Sequence, residues 1–391
     1  MKSGLSSNAI AALNRIDWNF PRSKTPATSV HALHWFPGNF IPQIPRVLVE
    51  ILSREGDHVF DPFCGSGTTG VEAATLGRAS RQSDINLASI QVAKGKLAVL
   101  MARSTVRRDT EAAVEKMLWD FLPQDFRAPR EHEINPELRL WLHSETLQQL
   151  QFIWGAVISA QKSKSTSDVF EMLFSDTLFA CASPGSAATR SGGRRRHHWG
   201  WIADNVQPKA LIAHNALGMF RRRLILLQKV LASSSDAPTS DSSVILEDAR
   251  DLTIRDNTID AIITSPPYLG MIDYTLANRL TFLWMGWSLR EALAAEIGAR
   301  RHRKRFTALQ NYREEMRATS FEMHRVLKKG SFCALVVGAS RRYPEAIDQV
   351  IDVFRDRFRL YWGPRPRTPT RRRISERKGS TPTEYIIVFR K

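Results

Sequence analysis

The chain has 391 residues, 43% of them hydrophobic, so it can bury the core of one large domain or two moderate ones. Lys and Arg outnumber Asp and Glu by 56 to 39, and the formal net charge of +17 fits either a polyanionic partner, because cations that neutralise phosphates release counterions, or a basic protein with no nucleic-acid function. The three cysteines are far apart, residues 1–21 lack an apolar signal core, and no run reaches the ~18 apolar residues of a membrane helix. We therefore expect a cytoplasmic protein with no metal site, no disulfide framework and no membrane association.

Strand and helix patterns alternate in the first hundred residues. Residues 1–30 are polar and irregular, and they predict an N-terminal arm. The alternation after them is typical of the start of a doubly wound α/β sheet. The predicted elements are a helix at 47–52, a strand at 58–61, a helix at 68–76, a strand at 79–84 and a helix at 87–101.

This α/β pattern stops after residue 101 and resumes at Val244. The intervening residues, 102–243, are mainly helical in pattern and predict an insert that interrupts one α/β fold. A Gly/Ser/Arg-rich loop divides the insert, and a serine-rich linker ends it. The predicted insert helices are 138–161, 168–182 and 208–231; the later elements are strands near 244 and 259, a helix at 308–328, a strand at 331–337, a helix at 344–354 and strands at 358–362 and 384–389.

Two motifs follow predicted strands. The first, DPFCGSGTT from Asp61 to Thr69, is a glycine loop whose backbone can approach a ligand closely, although a phosphate site or a plain tight turn would suit it nearly as well. About 20 residues on, Asp84 ends the next strand, where a carboxylate can accept both ribose hydroxyls of a nucleoside or can simply cap a helix.

The second motif is SPPY, Ser265 to Tyr268, at the end of an apolar strand. The carboxyl edge of a parallel sheet is where ligands bind. Pro266 and Pro267 lack N–H groups and stiffen the loop, so the carbonyls of Ser265 and Pro266 are available to an amino group. Tyr268 offers a flat face on which a base could stack, but an ordinary Pro-Pro turn with a packed tyrosine would show the same residues.

With these motifs in place, the chain resembles the DNA amino-methyltransferases of bacterial restriction–modification systems. The resemblance covers about 31–100 and 244–391 and rests on DPFCGSGTT, TSPPY, HWFPGNFIPQIP and EDARDL. It implies a class I (Rossmann-like) S-adenosylmethionine-dependent methyltransferase fold with a seven-stranded sheet. The catalytic domain would comprise 31–101 and 244–391, and the insert at 102–243 would be the DNA-recognition region, in an order that departs from the commonest ones.

The resemblance also implies residue roles. A serine at the head of SPPY usually accompanies cytosine-N4 enzymes, and Asp or Asn accompanies adenine-N6 enzymes, so Ser265 favours cytosine N4 as the target, with adenine N6 as the alternative. Ser265, Pro266, Pro267 and Tyr268 would form the catalytic motif. S-adenosylmethionine would be bound by Asp61, Phe63, Gly65, Gly67 and Thr68 around its methionine part, by Asp84 at the ribose and by Asp248 at the adenine amino group.

Cys64 and the basic segments need separate weighing. Cys64 lies inside the glycine loop with no acid to assist it, so we read it as a small filler rather than the nucleophile of a carbon-5 cytosine enzyme. The Gly/Ser/Arg-rich loop of the insert could bind DNA, with its arginines contacting phosphates or guanine edges and a tryptophan stacking on bases. Alternatively, it could be a solvated basic loop. Its candidate DNA-binding residues are Arg190, Arg194, Arg195, Arg196 and Trp199, and further basic segments run from 300 to 305 and from 355 to 378.

The sequence thus predicts a site-specific DNA methyltransferase that is associated with the nucleoid when bound to double-stranded DNA. A cognate restriction endonuclease is an expected partner. The alternatives are an RNA base methyltransferase, since similar Pro-Pro-Tyr motifs occur there, and a non-catalytic DNA-binding protein that has kept the fold.

Overall fold

A central sheet of seven strands organises the structure, a computed structural model. It describes residues 6–21, 25–26, 28–39, 41–102, 104–120, 134–160, 163–182, 199–233, 241–338, 342–368 and 383–391. The strands are β1 (His58–Asp61), β2 (Ala79–Asp84), β3 (Ser243–Leu246), β4 (Ile259–Thr264), β5 (Leu327–Gly338), β6 (Arg359–Arg367) and β7 (Glu384–Arg390).

The strand order in the sheet is β3-β2-β1-β4-β5-β7-β6, and β7 runs antiparallel to both of its neighbours. The other pairings are parallel. Strands β2 and β3 are added on one side of β1, whereas β4 and the later strands are added on its other side. This change of side opens a crevice at the carboxyl ends of β1 and β4. This topology is the class I methyltransferase arrangement, and the predicted fold class is confirmed.

Helices cover both faces of the sheet because each presents one apolar stripe to it. Ile44, Leu48 and Val49 pack on one face with Ile263, whereas Met323 and Phe354 pack on the other with Ile262. The helices are α1 (Ser6–Arg15), α2 (Gln43–Leu52), α3 (Thr68–Thr75), α4 (Leu87–Leu100), α5 (Ser104–Asp120), α6 (Ser144–Ser159), α7 (Lys164–Cys181), α8 (Trp199–Ala203), α9 (Ala216–Ser233), α10 (Tyr274–Ala277), α11 (Arg279–Met285), α12 (Leu289–Ala295), α13 (Ala308–Val326) and α14 (Ala346–Arg355).

The N-terminal segment differs from the irregular arm that we expected for residues 1–30. Residues 6–15 form α1, and Leu13 and Trp18 are buried in the same cluster as the β-sheet residues Val336 and Trp362. Trp362 Nε1 also donates a hydrogen bond to Asn14 Oδ1 at 2.8 Å. The expectation of an irregular arm is therefore wrong for this stretch, because burial of Leu13 in α1 and of Trp18 just after it stabilises the segment against the sheet.

The inserted helices share their core with the helices of the α/β fold. Phe174 of α7 packs against Trp154 of α6 and Trp284 of α11, with ring centroids 4.8 Å apart in both pairs. Helix α7 also crosses α4 closely at Gly95, where an added Cβ would come within 2.6 Å of the Asp168 carbonyl oxygen. A continuous core thus joins insert and sheet, and the domain boundaries at 102 and 243 stay a prediction.

Two findings on the described residues concern membrane spans and metal sites. Within the described ranges, every helix is too short or too polar to cross a bilayer. The same residues contain no cluster of three or more His, Cys, Asp or Glu side chains arranged to hold a metal ion.

Candidate active site

A cavity of about 1240 Å³ opens at the carboxyl ends of the parallel strands β1, β2, β3 and β4, where the strand order reverses between β1 and β4. The segments that follow all four strands contribute to its wall. Of the site residues expected from sequence, the cavity is lined by Phe63, Gly65, Thr68, Asp84, Asp248, Ser265, Pro267 and Tyr268. The other three, Asp61, Gly67 and Pro266, belong to the same loops but lie outside the lining.

The glycine loop is held in a shape that only glycine adopts readily. Gly65 and Gly67 have φ values of +50° and +78°, in the left-handed region. At Gly67, which precedes α3, a Cβ would also come within 2.9 Å of the Cβ of Ala93. Because Gly65 N donates to Asp84 Oδ2 at 2.9 Å, the loop is tied to β2 as well.

Asp61 ends β1 beneath the glycine loop and is almost fully buried. Its Oδ1 accepts hydrogen bonds from Thr264 Oγ1 at 2.5 Å and from Phe63 N at 3.1 Å. Its Oδ2 is buried without a hydrogen-bond partner among the described residues. Burial raises the pKa of Asp61 to about 6, although the hydrogen bond from Thr264 favours the charged form.

Asp84 ends β2 in the cavity wall, and both of its oxygens already accept backbone hydrogen bonds. Oδ2 accepts a hydrogen bond from Gly65 N, and Oδ1 accepts one from Asn86 N at 2.8 Å. Burial raises the pKa of Asp84 to about 6, while the N–H groups of Asn86 and Gly65 oppose the rise. Each carboxylate oxygen has a second lone pair, so these bonds leave acceptor capacity toward the cavity.

Asp248 follows β3 and forms an ion pair that the sequence did not reveal. Arg250 Nη2 lies 2.6 Å from Asp248 Oδ2, and Arg250 Nε lies 2.9 Å from Oδ1. Burial opposes ionisation, but these hydrogen bonds outweigh it and lower the pKa of Asp248. Arg250 also donates to the Ala295 carbonyl at 3.0 Å, which anchors the cavity wall to the end of α12.

The SPPY loop follows β4 and is braced by β5 and α13. Ser265 Oγ donates to the Val336 carbonyl at 3.0 Å and lies 3.3 Å from the Tyr268 hydroxyl. The Pro267 carbonyl accepts from the Tyr312 hydroxyl at 3.0 Å. Gly338 makes room for Tyr268, since a Cβ there would come within 2.5 Å of its ring. These contacts hold the side chains of Ser265 and Tyr268 in fixed positions.

The HWFPGN segment forms a further wall of the cavity, although sequence reasoning assigned its residues no individual roles. Trp35 lines the cavity and stacks on Phe179 of α7, with ring centroids 4.8 Å apart and planes 16° from parallel. Trp35 N donates to Asp176 Oδ1 at 2.8 Å, and Asn39 Oδ1 accepts from Ser66 Oγ at 2.7 Å. The segment therefore connects the glycine loop to the inserted helix α7.

Glu296 is another cavity residue that sequence reasoning missed. It accepts hydrogen bonds from Tyr274 N and from Arg301 Nη1, the latter at 2.7 Å. Burial raises the pKa of Glu296 to about 7, and the Arg301 hydrogen bond opposes this rise. The acid lies in no motif, and only the fold brings it beside the SPPY loop, so the sequence offered no signal for it.

The proposed DNA-binding residues are covered only in part. Arg190, Arg194, Arg195 and Arg196 lie outside the described residues, as does the segment 369–378. Trp199 begins α8, and its side chain is likewise outside the description. The cluster at 300–305 is described, and Arg300 lines the cavity.

Two carboxylates suit S-adenosylmethionine, Asp84 in the cavity lining and Asp61 beneath it. Asp84 presents a carboxylate with spare acceptor capacity at a strand end, which suits a ribose diol. The unpartnered Oδ2 of Asp61 suits an ammonium group, because a buried oxygen without a hydrogen bond is costly unless a ligand supplies a donor.

Comparison with known proteins agrees with this site. A protein-family model described as DNA methylase matches residues 13–95, which include the glycine loop and Asp84. Type II methyltransferase M.MjaII of Methanocaldococcus jannaschii is 33% identical over 87 residues, which cover 21% of this chain and 16% of that protein. Type II methyltransferase M.MvaI of Kocuria varians is 23% identical over 270 residues, which cover 65% of this chain and 57% of that protein.

A crystal structure of an S-adenosylmethionine-dependent methyltransferase from Methanosarcina mazei aligns over 92% of this chain and 98% of its own, with 11% identity and a TM-score of 0.34.

Fold and site together define a class I methyltransferase scaffold. The matches confirm the resemblance to the amino-methyltransferases of restriction–modification systems, and with the fold they imply S-adenosylmethionine as the cofactor. They do not distinguish cytosine N4 from adenine N6. The chain spans about a sixth of the length of M.MjaII and somewhat more than half of the length of M.MvaI.

Proposed function

We propose that this protein transfers a methyl group from S-adenosylmethionine to an exocyclic amino nitrogen in DNA, with cytosine N4 as the favoured target. The observation that carries the proposal is the arrangement of Ser265 beside the cofactor cavity. Its hydroxyl proton is directed to the Val336 carbonyl, so its lone pairs remain as acceptors for an amino group.

The reacting nitrogen of a paired base is inside the duplex, so the base must leave the stack and enter the cavity. Tyr268 would stack on the base, while Ser265 Oγ and the Pro266 carbonyl would accept its two amino protons. These hydrogen bonds would draw the nitrogen lone pair away from ring conjugation. S-adenosylmethionine supplies an electrophilic methyl group on a sulfonium, and positioning accounts for most of the remaining work. The surplus proton would leave to water.

The cofactor would be held by side chains at three strand ends. Asp84 would accept the ribose hydroxyls, and Asp61 Oδ2 would accept from the amino group of the methionine part. Phe63, Gly65, Gly67 and Thr68 would surround that part. Asp248 would face the adenine amino group, sharing its carboxylate with Arg250.

The state of the Cys64 thiol distinguishes methylation of an amino group from methylation of cytosine carbon 5, which needs a cysteine nucleophile. Burial raises the pKa of the Cys64 thiol well above its ordinary value, and the Asp84 and Asp61 carboxylates raise it further. A thiol that stays protonated cannot attack a cytosine ring. This supports our interpretation of Cys64 as a buried filler.

The test is product analysis of DNA incubated with the protein and S-adenosylmethionine, digested to nucleosides and identified by mass. We expect N4-methylcytosine. N6-methyladenine alone would overturn the target assignment, and 5-methylcytosine would overturn the mechanism. A parallel RNA substrate separates the RNA alternative, and absence of cofactor binding by calorimetry would favour a non-catalytic protein.

Two variants test whether Ser265 and Tyr268 take part in methyl transfer. Ser265→Ala and Tyr268→Ala should bind S-adenosylmethionine with unchanged affinity and transfer no measurable methyl group, because each removes a contact to the base and none to the cofactor. Methyl transfer at the rate of the unsubstituted protein by either variant would remove that residue from the reaction. A paired restriction endonuclease remains a separate prediction.

A further inference from the structure

Phe306 is fully exposed, on the loop between Ala299 and Thr307 that connects α12 to α13. Large aromatic side chains are usually buried or half-buried, because their apolar area is costly in water. No other exposed large hydrophobic side chain in the described residues is as open to solvent as Phe306. An aromatic ring in this state is expected to have a partner.

The loop is fixed against the segment that follows SPPY. Gly270 N donates to the Gly298 carbonyl at 2.8 Å, and a Cβ on Gly270 would come within 3.1 Å of the Arg303 Cβ. The Tyr343 hydroxyl donates to the Arg303 carbonyl at 2.6 Å. Phe306 is three residues from Arg303, so its Cα lies within about 11 Å of that anchored point. The loop that carries Phe306 also contributes Arg300 to the cavity lining.

The charges on the loop fall into two groups. Arg300 and Arg301 have acidic partners, Asp204 for the first and Asp273 with Glu296 for the second. The next three cations, Arg303, Lys304 and Arg305, form no ion pair with any residue that the structure describes. Lys304, Arg305 and Phe306 are all exposed.

An exposed aromatic ring beside uncompensated cations fits a duplex nucleic acid. The cations neutralise phosphates, and an apolar side chain can enter a base step that has been partly unstacked. A protein surface would offer an apolar pocket for Phe306 but no row of anions for the three residues before it. Charge complementarity thus favours DNA as the occupant.

We propose that Phe306 inserts into the base stack at the place vacated by the target base, while Arg303, Lys304 and Arg305 contact the adjoining phosphates. This inference rests on the proposed function, since it requires a base that leaves the helix. The wedge stabilises the opened duplex, so its contribution is largest where the target base is stably paired and smallest where the pair is already broken.

The test compares two duplexes that contain the methylated site as mapped by sequencing of modified DNA. One has the normal pair at the target and the other a mismatch there. Phe306→Ala should lower kcat/KM on the paired duplex about tenfold or more, which is the range of one lost base–aromatic stack. On the mismatched duplex it should stay within about twofold of the unsubstituted protein. Phe306→Trp should restore activity on the paired duplex.

Two further variants distinguish the effect of losing the Phe306 ring from effects of altered folding or altered charge. Phe321→Ala removes an exposed phenylalanine on α13 that contacts Arg357, and we expect no change on either duplex. Lys304→Ala should weaken binding to both duplexes equally.

Two results would overturn the inference while leaving the proposed function intact: a Phe306→Ala loss that is equal on both duplexes, or no loss on either. If sequencing finds no methylated site in DNA incubated with the unsubstituted protein, the proposed function itself fails and the inference falls with it.

Discussion

At the residue scale, Asp84 is at the same time part of the loop architecture and a proposed ligand group. Its carboxylate accepts Gly65 N and Asn86 N, so it shapes the glycine loop and the start of α4 before any ligand arrives. A substitution at Asp84 therefore changes two properties, and the experiment must separate them.

We expect Asp84→Asn to weaken S-adenosylmethionine binding by about 2–4 kcal/mol, because charge-assisted hydrogen bonds to the ribose are lost. Asn keeps one acceptor for the backbone, whereas Asp84→Ala keeps none. The Ala variant should thus also melt at a lower temperature. Calorimetric titration and thermal unfolding measure the two effects. Unchanged affinity in a folded Asn variant would exclude Asp84 from the cofactor site.

A second residue-scale prediction concerns pH. Burial raises the pKa values of Asp61 and Asp84 to about 6, so both lose their charge as the pH falls through that value. Cofactor affinity should decline from about pH 7 to about pH 5, because the bound ammonium and diol favour ionised carboxylates. The cofactor affinity of the Asp84→Asn protein should keep only the part of this pH dependence that Asp61 contributes.

The stability of the ligand-free protein provides the control for this titration. A carboxyl whose folded pKa is raised binds a proton that the unfolded chain releases between about pH 4 and pH 6, so its contribution to stability falls as the pH rises through that window. Weaker binding at low pH therefore cannot be attributed to unfolding through these two groups. Affinity that is constant with pH would contradict their role.

Motif position located the strand-end residues but not their partners. Asp61, Asp84 and Ser265 could be assigned because each directly follows a strand pattern, and parallel strands bring their carboxyl ends together. Arg250 and Glu296 could not be assigned. Their contacts with Asp248 and Arg301 depend on loop conformations that no periodicity encodes.

At the element scale, α4 contains a lysine in its buried face. Lys96 is 1% exposed, and burial lowers its pKa to about 7, although the nearby Asp176 carboxylate favours the charge. The unfolded chain keeps this proton up to about pH 10.4, so between about pH 7 and pH 10 it binds a proton that the folded protein lacks. Stability contributed by Lys96 must then rise with pH.

We therefore expect the unfolding free energy of the unsubstituted protein, relative to Lys96→Met, to increase by up to about 1.4 kcal/mol per pH unit in that window. Lys94→Met on the same helix is the matched control, since Lys94 is only partly buried. Denaturant unfolding at several pH values gives the difference. Parallel pH profiles for the unsubstituted and Lys96→Met proteins would show that Lys96 does not titrate in the folded state.

Local pattern also explains which elements were predicted. The strand at 58–61 follows a Gly-Asp turn, and Asn86 caps the start of the helix predicted at 87–101; the structure contains both as β1 and α4. Helix α1 was missed because only Ala9 and Leu13 mark its buried face. The shared core of α4 and α7 depends on their close crossing at Gly95, a long-range contact that one sequence does not display.

At the scale of the whole molecule, the charge of +17 has to be assigned to surfaces. The cavity opens at the carboxyl edge of the parallel strands, and the loop at 300–305 lies on that side. The opposite edge also bears exposed cations, namely Arg255 before β4, Lys329 near the start of β5 and Arg359 at the start of β6. A DNA duplex that delivers a base to the cavity should contact the first set and not the second.

This contrast supplies the control for the basic insert loop. Replacing Arg194, Arg195 and Arg196 by Ala should weaken DNA binding and flatten the plot of log affinity against log salt by up to about three counterions, because each phosphate contact contributes about one. Replacing Arg255, Lys329 and Arg359 by Ala removes the same charge from the opposite edge and should leave the slope within about one counterion. Cofactor affinity should hold in both proteins. Equal slopes for the two triple variants would show that net charge, and not the insert loop, governs DNA binding.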